Sequence, residues 1–383
     1  MSELKDFAPA GAMFDDPKLY VQEGGILAKR FGVVPFSVLD ARQGAWQRRK
    51  RDWIALGIKG EEGRTDDTGA ETGVCLANGF GGYAVWHCDK CKYRYNGKVS
   101  APPPSNNCPA CGFVLRCVEK EEPAEGGGTV DTSVFDPVLC ECIYKWFAKP
   151  GGTILDPFAG ESTKGIIAAF LGYQYTGVEL RQTQVDANNA QALFVQEKVR
   201  AGNKEEMLLP TWVPGDSSQL GQVLDNADPF SDGYDFIWTS PPYYDLEIYS
   251  KSGKDGSTFE TYERFMQWYW DIFAQAVARL KPNRFVAVKV GEVRDEHGWY
   301  RQFVPHNALG FEKLGLHFYN EIILVTAVGS LPMRISAHFP KYRKVGKTHQ
   351  NILVFYKGDN AKDIPQELGL LEKSEIENAE MGK

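Results

Sequence analysis

The sequence predicts an α/β fold: a mostly parallel sheet flanked by helices, with an antiparallel addition at its end and a small cysteine-paired module ahead of it. Three observations carry this expectation. Short apolar runs alternate with helical patterns from Thr153 to Leu314, as βαβ units require. Two β-rich runs, Phe318 to Val328 and Gln350 to Tyr356, follow with no evident helix between them. Two Cys-x-x-Cys pairs precede the alternating region.

The chain has 383 residues, enough for one large core with an appended module. Hydrophobic residues make up 43% and charged residues 24%, the proportions of a globular protein. No apolar run is long enough to span a membrane and the N-terminus has no secretory pattern, so a cytoplasmic protein without membrane contact is expected. The net charge of −7 argues against a protein that coats nucleic acid, although a local basic patch can still steer one. Arg48-Arg49-Lys50-Arg51 and the stretch Lys341 to Lys347 are the two candidates. Each reads equally well as a solvated face.

Residues 1–30 carry little pattern. Phe31 to Gly57 is denser and includes a helical stretch with Trp46 and Trp53. The expected organisation is an N-terminal segment (1–82), a cysteine module (83–118), a Gly-rich linker (119–130), the α/β domain (131–358) and a charged tail (359–383). Within the α/β domain, strands are expected at Thr153–Asp156, Gln174–Val178, Tyr234–Trp238 and Phe285–Val290. Helices are expected at Thr163–Leu171, Thr183–Arg200, Thr261–Leu280 and Phe303–Leu314. Phe265, Trp268, Tyr269, Trp270 and Phe273 read as helix core.

In Asp156-Pro157-Phe158-Ala159-Gly160-Glu161-Ser162-Thr163 a strand ends in a Gly turn and opens a helix. Small residues there let backbone N–H groups approach a ligand. Glu179 follows 23 residues after Asp156, at the end of the next strand, where doubly wound folds place the acid that holds a ribose. The combination points to an adenosine-type cofactor. The full Gly-x-Gly-x-x-Gly fingerprint is missing, which counts against nicotinamide or flavin.

Thr239-Ser240-Pro241-Pro242-Tyr243 also follows an apolar strand. Two prolines remove two donors and force an extended path. Ser240 and the carbonyl of Pro241 can accept hydrogen bonds from one –NH₂ group, and Tyr243 offers a face for a planar base. Cys88 and Cys91, then Cys108 and Cys111, have the spacing of a four-thiolate structural zinc ribbon. Its Lys90, Lys92, Arg94 and Lys98, interleaved with Tyr93 and Tyr95, suggest a nucleic-acid-facing surface. Cys75, Cys117, Cys140 and Cys142 read as small buried hydrophobes. Glu292, Arg294 and Asp295 either enter the site or form local pairs, and His349 either contacts phosphate or caps a strand.

The Asp156–Gly160 and Thr239–Tyr243 motifs resemble those of DNA methyltransferases that act on exocyclic amino groups, N4 of cytosine or N6 of adenine. Phe31-Gly32, Pro35 to Arg42, Trp46, Arg49-Lys50-Arg51, Trp53 and Gly63-Arg64 are similar to the N-terminal block of such enzymes from bacteriophages and prophages. Gly291 to Asp295, Thr326 to Pro332 and Lys347 to Asn351 resemble their later blocks. The resemblance implies a Rossmann-like class I methyltransferase fold with an antiparallel terminal strand, S-adenosylmethionine as cofactor, and double-stranded DNA as partner with the target base flipped out of the helix. It also implies a protein in the cytoplasm of a bacterial host. Phe135, Asp156, Phe158, Ala159, Gly160, Ser162, Thr163, Glu179 and Asp216 would line the cofactor, and Ser240, Pro241, Pro242 and Tyr243 the base. Ser162 stands where a second Gly is common. Ser240, in place of Asp or Asn, tilts the target toward cytosine. An RNA or protein amide methyltransferase, or a non-catalytic DNA-binding protein, stays open as an alternative. The sequence gives neither recognition site nor oligomeric state.

Overall fold

The structure is a computed structural model. It describes residues 26–59, 90–91, 111, 135–203, 207–227, 230, 232–244, 259–329, 331–364 and 368, and the backbone of 83–88, 94–98 and 115–120. These residues fall into two compact units, one drawn from 1–73 and 134–383, the other from 74–133.

The larger unit is an eight-stranded sheet. Its strands are β1 (Val38–Asp40), β5 (Thr153–Asp156), β6 (Gln174–Glu179), β7 (Thr211–Pro214), β8 (Tyr234–Thr239), β9 (Leu280–Val290), β10 (His317–Val325) and β11 (His349–Lys357). They lie in the order β1-β10-β11-β9-β8-β5-β6-β7. Only β11 runs antiparallel to its neighbours, β9 and β10. The central strands are apolar on both faces, as a sheet covered on both sides demands. Ile154, Phe236 and Trp238 belong to one apolar layer, while Leu155, Ile237 and Val286 belong to the other.

Helices cover both faces. α2 (Gly44–Ala55), α3 (Pro137–Phe147), α4 (Thr163–Phe170) and α5 (Gln182–Asn203) contribute to the first layer, and α6 (Leu220–Ala227), α7 (Tyr262–Ala278) and α8 (Phe303–Lys313) to the second, while α1 (Ile26–Phe31) is tied to α3 by the Trp146 indole N–H on the Phe31 carbonyl at 3.1 Å. Phe265, Tyr269 and Phe273 are fully buried on α7, so the aromatic run is core, as the sequence suggested. α3 starts at Pro137 with Asp136 accepting from the Val138 and Leu139 N–H groups, a good N-cap with proline in the first turn.

Residues 26–59 are welded into this unit. β1 extends the sheet beside β10. Glu141 of α3 is buried and takes both arms of the Arg49 guanidinium at 2.8 and 2.7 Å, Lys145 at 2.8 Å and the Trp53 indole N–H at 2.9 Å. Burial would raise this carboxyl, but the charges of Arg49 and Lys145 outweigh it and hold it far below the ordinary carboxylate range. Lys50 approaches Asp136 at 4.0 Å. Half of the Arg48–Arg51 cluster is thus structural, and only Arg48 and Arg51 stay exposed.

The structure corrects the sequence reading in three places. A helix, α9 (Leu331–Tyr342), stands between β10 and β11. Its second residue, Pro332, is tolerated because first-turn N–H groups need no helical partner, while Pro340 and the flanking Gly329 and Gly346 obscure it in the sequence. β9 begins at Leu280, earlier than expected. In the smaller unit, β2 (Tyr83–Cys88), β3 (Arg94–Lys98) and β4 (Leu115–Lys120) form an antiparallel sheet in the order β3-β2-β4, and β4 takes the first two residues of the expected linker. Among the described residues no helix is long and apolar enough to cross a membrane.

Candidate active site

Strand order reverses between β5 and β8, whose neighbours run outward in opposite directions. Such a switch point leaves a crevice beyond the carboxyl ends of the strands. Asp156 ends β5 and Thr239 ends β8, so the two motifs singled out in the sequence meet there.

Asp156 is fully buried. One oxygen accepts from the Thr239 hydroxyl at 2.6 Å and the Phe158 N–H at 3.1 Å. The other accepts from the Tyr175 hydroxyl at 2.9 Å and pairs with Lys164 at 2.9 Å. Asp156 therefore frames the loop from below. The loop passes through Gly160 at φ +59°, and an added Cβ there would meet nothing within 4 Å. This position needs glycine for its backbone and faces open space. The Gly160 N–H donates to Glu179 at 3.2 Å and its carbonyl accepts from Asn188 at 2.8 Å. Behind the loop, a Cβ on Gly177 would come within 2.7 Å of the Ala159 side chain, so strand and loop touch.

Glu179 ends β6 and is nearly buried. Burial pushes its carboxyl above the ordinary value, against the Arg181 N–H bond, the Arg181 charge and the Gly160 N–H. Phe158 is half-buried against Trp268, Tyr269 and Phe273. Ser162 donates to Gln191 on α5, and Thr163 is buried with its N–H and hydroxyl on Glu161 at 2.8 and 2.6 Å. Glu161 also accepts the Phe135 N–H at 3.2 Å. Asp216 caps a short 3-10 turn by accepting the Ser218 N–H at 2.9 Å, and the neighbouring Ser217 hydroxyl donates to the Pro157 carbonyl at 2.6 Å.

Beyond Thr239, Pro241 is buried and Ser240, Pro242 and Tyr243 are half-buried. The Ser240 and Tyr243 hydroxyls both donate to the Lys289 carbonyl on β9, at 3.4 and 3.5 Å. Serine spends its proton there and keeps lone pairs as acceptors. Tyr243 and Phe303 pack with their ring planes perpendicular and centroids 5.8 Å apart, and Gly291 lies against the Tyr243 hydroxyl end.

Two lysines absent from the sequence reading join the halves. The Lys164 and Lys289 ammonium groups lie 5.0 and 4.2 Å from the centre of the Phe135 ring, which packs edge-on against Trp238. Phe135, the Asp156–Thr163 loop, Glu179 and the Ser240–Tyr243 segment thus share one edge of the sheet, with Asp216 tied in through Ser217. A signal for Lys164 existed: it is the lone charge in the apolar helix Thr163–Phe170.

Glu292 and its neighbours resolve as local structure. Glu292 accepts the Phe303 and Val304 N–H groups at 3.2 Å each, capping α8 from a distance because Gln302 supplies no cap. Arg294 donates to the Gly298 carbonyl, and Asp295 accepts the Trp299 N–H. His349 starts β11, and burial followed by the Lys347 charge lowers its basicity. Cys140 and Cys142 are buried in α3 as expected.

In the smaller unit Cys88 closes β2 and pairs in register with Leu115, the first residue of β4. Cys91 is exposed on the turn toward β3, and Cys111 is half-buried just ahead of β4. Cys88, Cys91 and Cys111 therefore map to one end of that sheet. Cys108 and the side chain of Cys88 lie outside the described residues, as do Gly63-Arg64, Cys75 and all but Lys90 of the cationic and aromatic side chains of this unit. Among the described residues no group of three or more His, Cys, Asp or Glu is arranged to hold a metal.

Residues 234–380 match the family model N6_N4_Mtase, described as DNA methylase. The match starts at the first residue of β8 and includes Ser240–Tyr243. Among solved structures, TrmN from Thermus thermophilus is 17% identical over 64% of this chain and 55% of its own length, with TM-score 0.37. A TehB-like SAM-dependent methyltransferase from Corynebacterium glutamicum is 17% identical over 55% of this chain and 82% of its own (TM-score 0.31). Magnesium protoporphyrin IX methyltransferase from Synechocystis with bound SAM is 13% identical over 54% and 71% (TM-score 0.32).

Proposed function

We propose that this chain, whose residues 234–380 match the DNA methylase family model, is a methyltransferase that moves a methyl group from S-adenosylmethionine to the exocyclic amino group of a base in double-stranded DNA. The observation that carries the reading is the junction of the Gly160 loop and the Ser240–Tyr243 segment through the Thr239–Asp156 hydrogen bond.

The residues at the loop fit the cofactor. Open space above Gly160 leaves room for a ligand against the backbone. Glu179, held above its ordinary pKa by burial, would gain from hydroxyl donors such as those of a ribose. When bound, S-adenosylmethionine supplies an electrophilic methyl on a sulfonium. Phe135, flanked by two ammonium groups, and Phe158 offer apolar walls.

Chemistry at the other half rests on this chain's acceptors. An exocyclic amine is a poor nucleophile because its lone pair is delocalised into the ring. The Ser240 hydroxyl oxygen and the Pro241 carbonyl would each accept a hydrogen bond from one amino N–H and so localise the lone pair, while Tyr243 holds the ring by stacking. Positioning, not a strong base, is then the main contribution. A base inside a duplex cannot reach a half-buried tyrosine, so it must swing out. Ser240 in the first position favours N4 of cytosine over N6 of adenine.

The cysteine pairs fit structural zinc. Four thiolates form a closed tetrahedral donor set, and the Cys88–Leu115 register, with Cys111 just ahead of β4, supports the approach of Cys88, Cys91 and Cys111.

The test is incubation with labelled cofactor and unmodified duplex DNA, RNA or protein, followed by mass spectrometry of digested nucleosides. N4-methylcytosine in DNA is expected. Label confined to RNA or protein would sink the DNA reading, and N6-methyladenine would correct the target.

A further inference from the structure

From Ile322 to Gly358 the chain has no acidic residue, yet it carries Arg334, Lys341, Arg343, Lys344, Lys347 and Lys357. In a protein of net charge −7 this is a strong local reversal. The fold places it where the chemistry is. β10 runs parallel to β9 because both are antiparallel to β11, so β10 ends at the same edge as β5, β8 and β9. The Thr326 N–H donates to the Thr348 carbonyl at 2.9 Å. The whole excursion that carries α9 therefore springs, with its base pinned shut, from the edge that holds Ser240 and Tyr243.

The inner side of the excursion is occupied. A Cβ on Gly346 would come within 2.9 Å of the Leu331 and Ile335 side chains. Among the described residues nothing covers the outer side. Met333, Phe339, Tyr342 and Val345 are exposed, Val345 to 65%. Lys341 and Lys344 hold their ammonium groups 4.9 and 5.5 Å from the Tyr342 ring centre, and Arg343 lies 5.5 Å from that of Phe339. None of these three cations pairs with a carboxylate among the described residues. Lys344 also lies over Gly298, which brings the excursion against the loop after β9. There Trp299 is 72% exposed and Arg294 stacks 3.8 Å from the Tyr300 ring centre. The acids of that loop are Glu292, committed to the Phe303 and Val304 N–H groups, Asp295, committed to the Trp299 N–H, and Glu296, beside His297 at 3.6 Å.

We propose that the 339–345 segment, with Trp299 beside it, is the surface that grips the phosphate backbone of duplex DNA next to the target pocket. Lys341, Arg343 and Lys344 would meet phosphates, and Tyr342 and Trp299 the sugars and base edges. This deepens the DNA reading above and rests on it. Self-association through the same face would bring two sets of unpaired cations together, whereas a polyanion neutralises them and releases counterions.

The experiment measures binding of the full chain to a fluorescent duplex across salt concentrations. In parallel, label transfer by the wild-type protein to the same duplex is measured. Each lost phosphate contact makes the salt slope shallower by about 0.9. The variant Lys341→Ala/Arg343→Ala/Lys344→Ala is expected to lose about 2 to 3 from the slope and roughly 100-fold in affinity near 0.1 M salt. Lys341→Arg/Lys344→Arg should keep both, and Arg264→Ala, which removes an exposed cation of α7, should keep the wild-type slope. Circular dichroism confirms folding. An unchanged slope in the triple variant overturns the surface, and if the wild type still labels the duplex the DNA reading survives. Wild-type protein that binds duplex but labels only RNA or protein overturns the reading and leaves the surface to be judged by its slope. A triple variant that alters sedimentation but not DNA binding assigns the face to self-association and overturns the proposal.

Discussion

The hydroxyl of Thr239 donates to Asp156 at 2.6 Å, joining the last residue of β8 to the last residue of β5. This bond spans the switch point of the sheet. One end belongs to the loop that would seat a cofactor, the other to the segment that would seat a base. Asp156 is fully buried and depends on Thr239, Tyr175, Lys164 and the Phe158 N–H for solvation.

Thr239→Val keeps the shape and removes one donor to a buried carboxylate. The expected cost is about 1–3 kcal/mol of stability, read by urea unfolding, together with a fall in the transfer rate. Thr239→Ser should restore most of both. A valine variant as stable and active as wild type would show that the bond does not couple the two halves.

Asp235 links β8 to β5 and β9 through the Thr153 N–H and hydroxyl, Arg284 and Lys281. Burial would raise its carboxyl, but these partners outweigh it and hold the pKa at about 2. A depressed folded-state pKa gives stability that is present above the ordinary carboxylate value of 3.8 and lost as pH falls toward about 2. Unfolding free energy should therefore drop across that window. In Asp235→Asn the protein is less stable at neutral pH and the drop is smaller. An unaltered acid limb would rule this group out.

Much of this was legible in the sequence, because strand ends that bear Asp156, Glu179 and Thr239 are local patterns of apolar run, turn and polar residue. What was not legible is long-range. Nothing local shows that Lys164 reaches back to Asp156, that Lys289 meets Phe135, or that Glu292 caps a helix eleven residues away. The basic cluster at Arg48–Arg51 looked uniform, yet Glu141, 92 residues beyond Arg49, takes Arg49 out of it. α9 escaped because its two prolines read as breakers, while one lies in a first turn that tolerates it. Gly160 was visible as a turn, but its left-handed backbone and open face were not.

Glu179 should make cofactor binding depend on pH. Burial raises its carboxyl above 4.5 in the free protein, and ribose hydroxyls would favour the charged form. Binding should then release a proton near the raised value and weaken as pH falls through it. Glu179→Gln loses hydrogen bonds to a charged group, each worth about 1.5–3 kcal/mol, and should bind at least about 10-fold more weakly with no such pH dependence. Calorimetry in buffers of different ionisation enthalpy reads the proton directly. A wild-type affinity flat across the acidic range would remove the ribose role.

The cysteine module predicts one zinc per chain. Cys88→Ser/Cys91→Ser should abolish metal content by elemental analysis and expose 74–133 to proteolysis. The larger unit has its own two-faced core, so its unfolding transition should persist. Wild-type protein without stoichiometric zinc would leave the four thiols without this role.

Tyr243 separates stacking from hydrogen bonding. Its hydroxyl reaches the Lys289 carbonyl at only 3.5 Å, a long contact worth little, while the ring is braced by Phe303. Tyr243→Phe should keep most activity. Tyr243→Ala removes the stacking face, worth about 1–3 kcal/mol per base, and so should lower single-turnover transfer by roughly 10- to 100-fold. Substrate with the target base opposite a gap has already lost its pairing, so it should recover part of the alanine variant's rate if the tyrosine stabilises the extruded base. Equal losses in both variants would move the role from the ring to the hydroxyl, and no loss in either would place the base elsewhere.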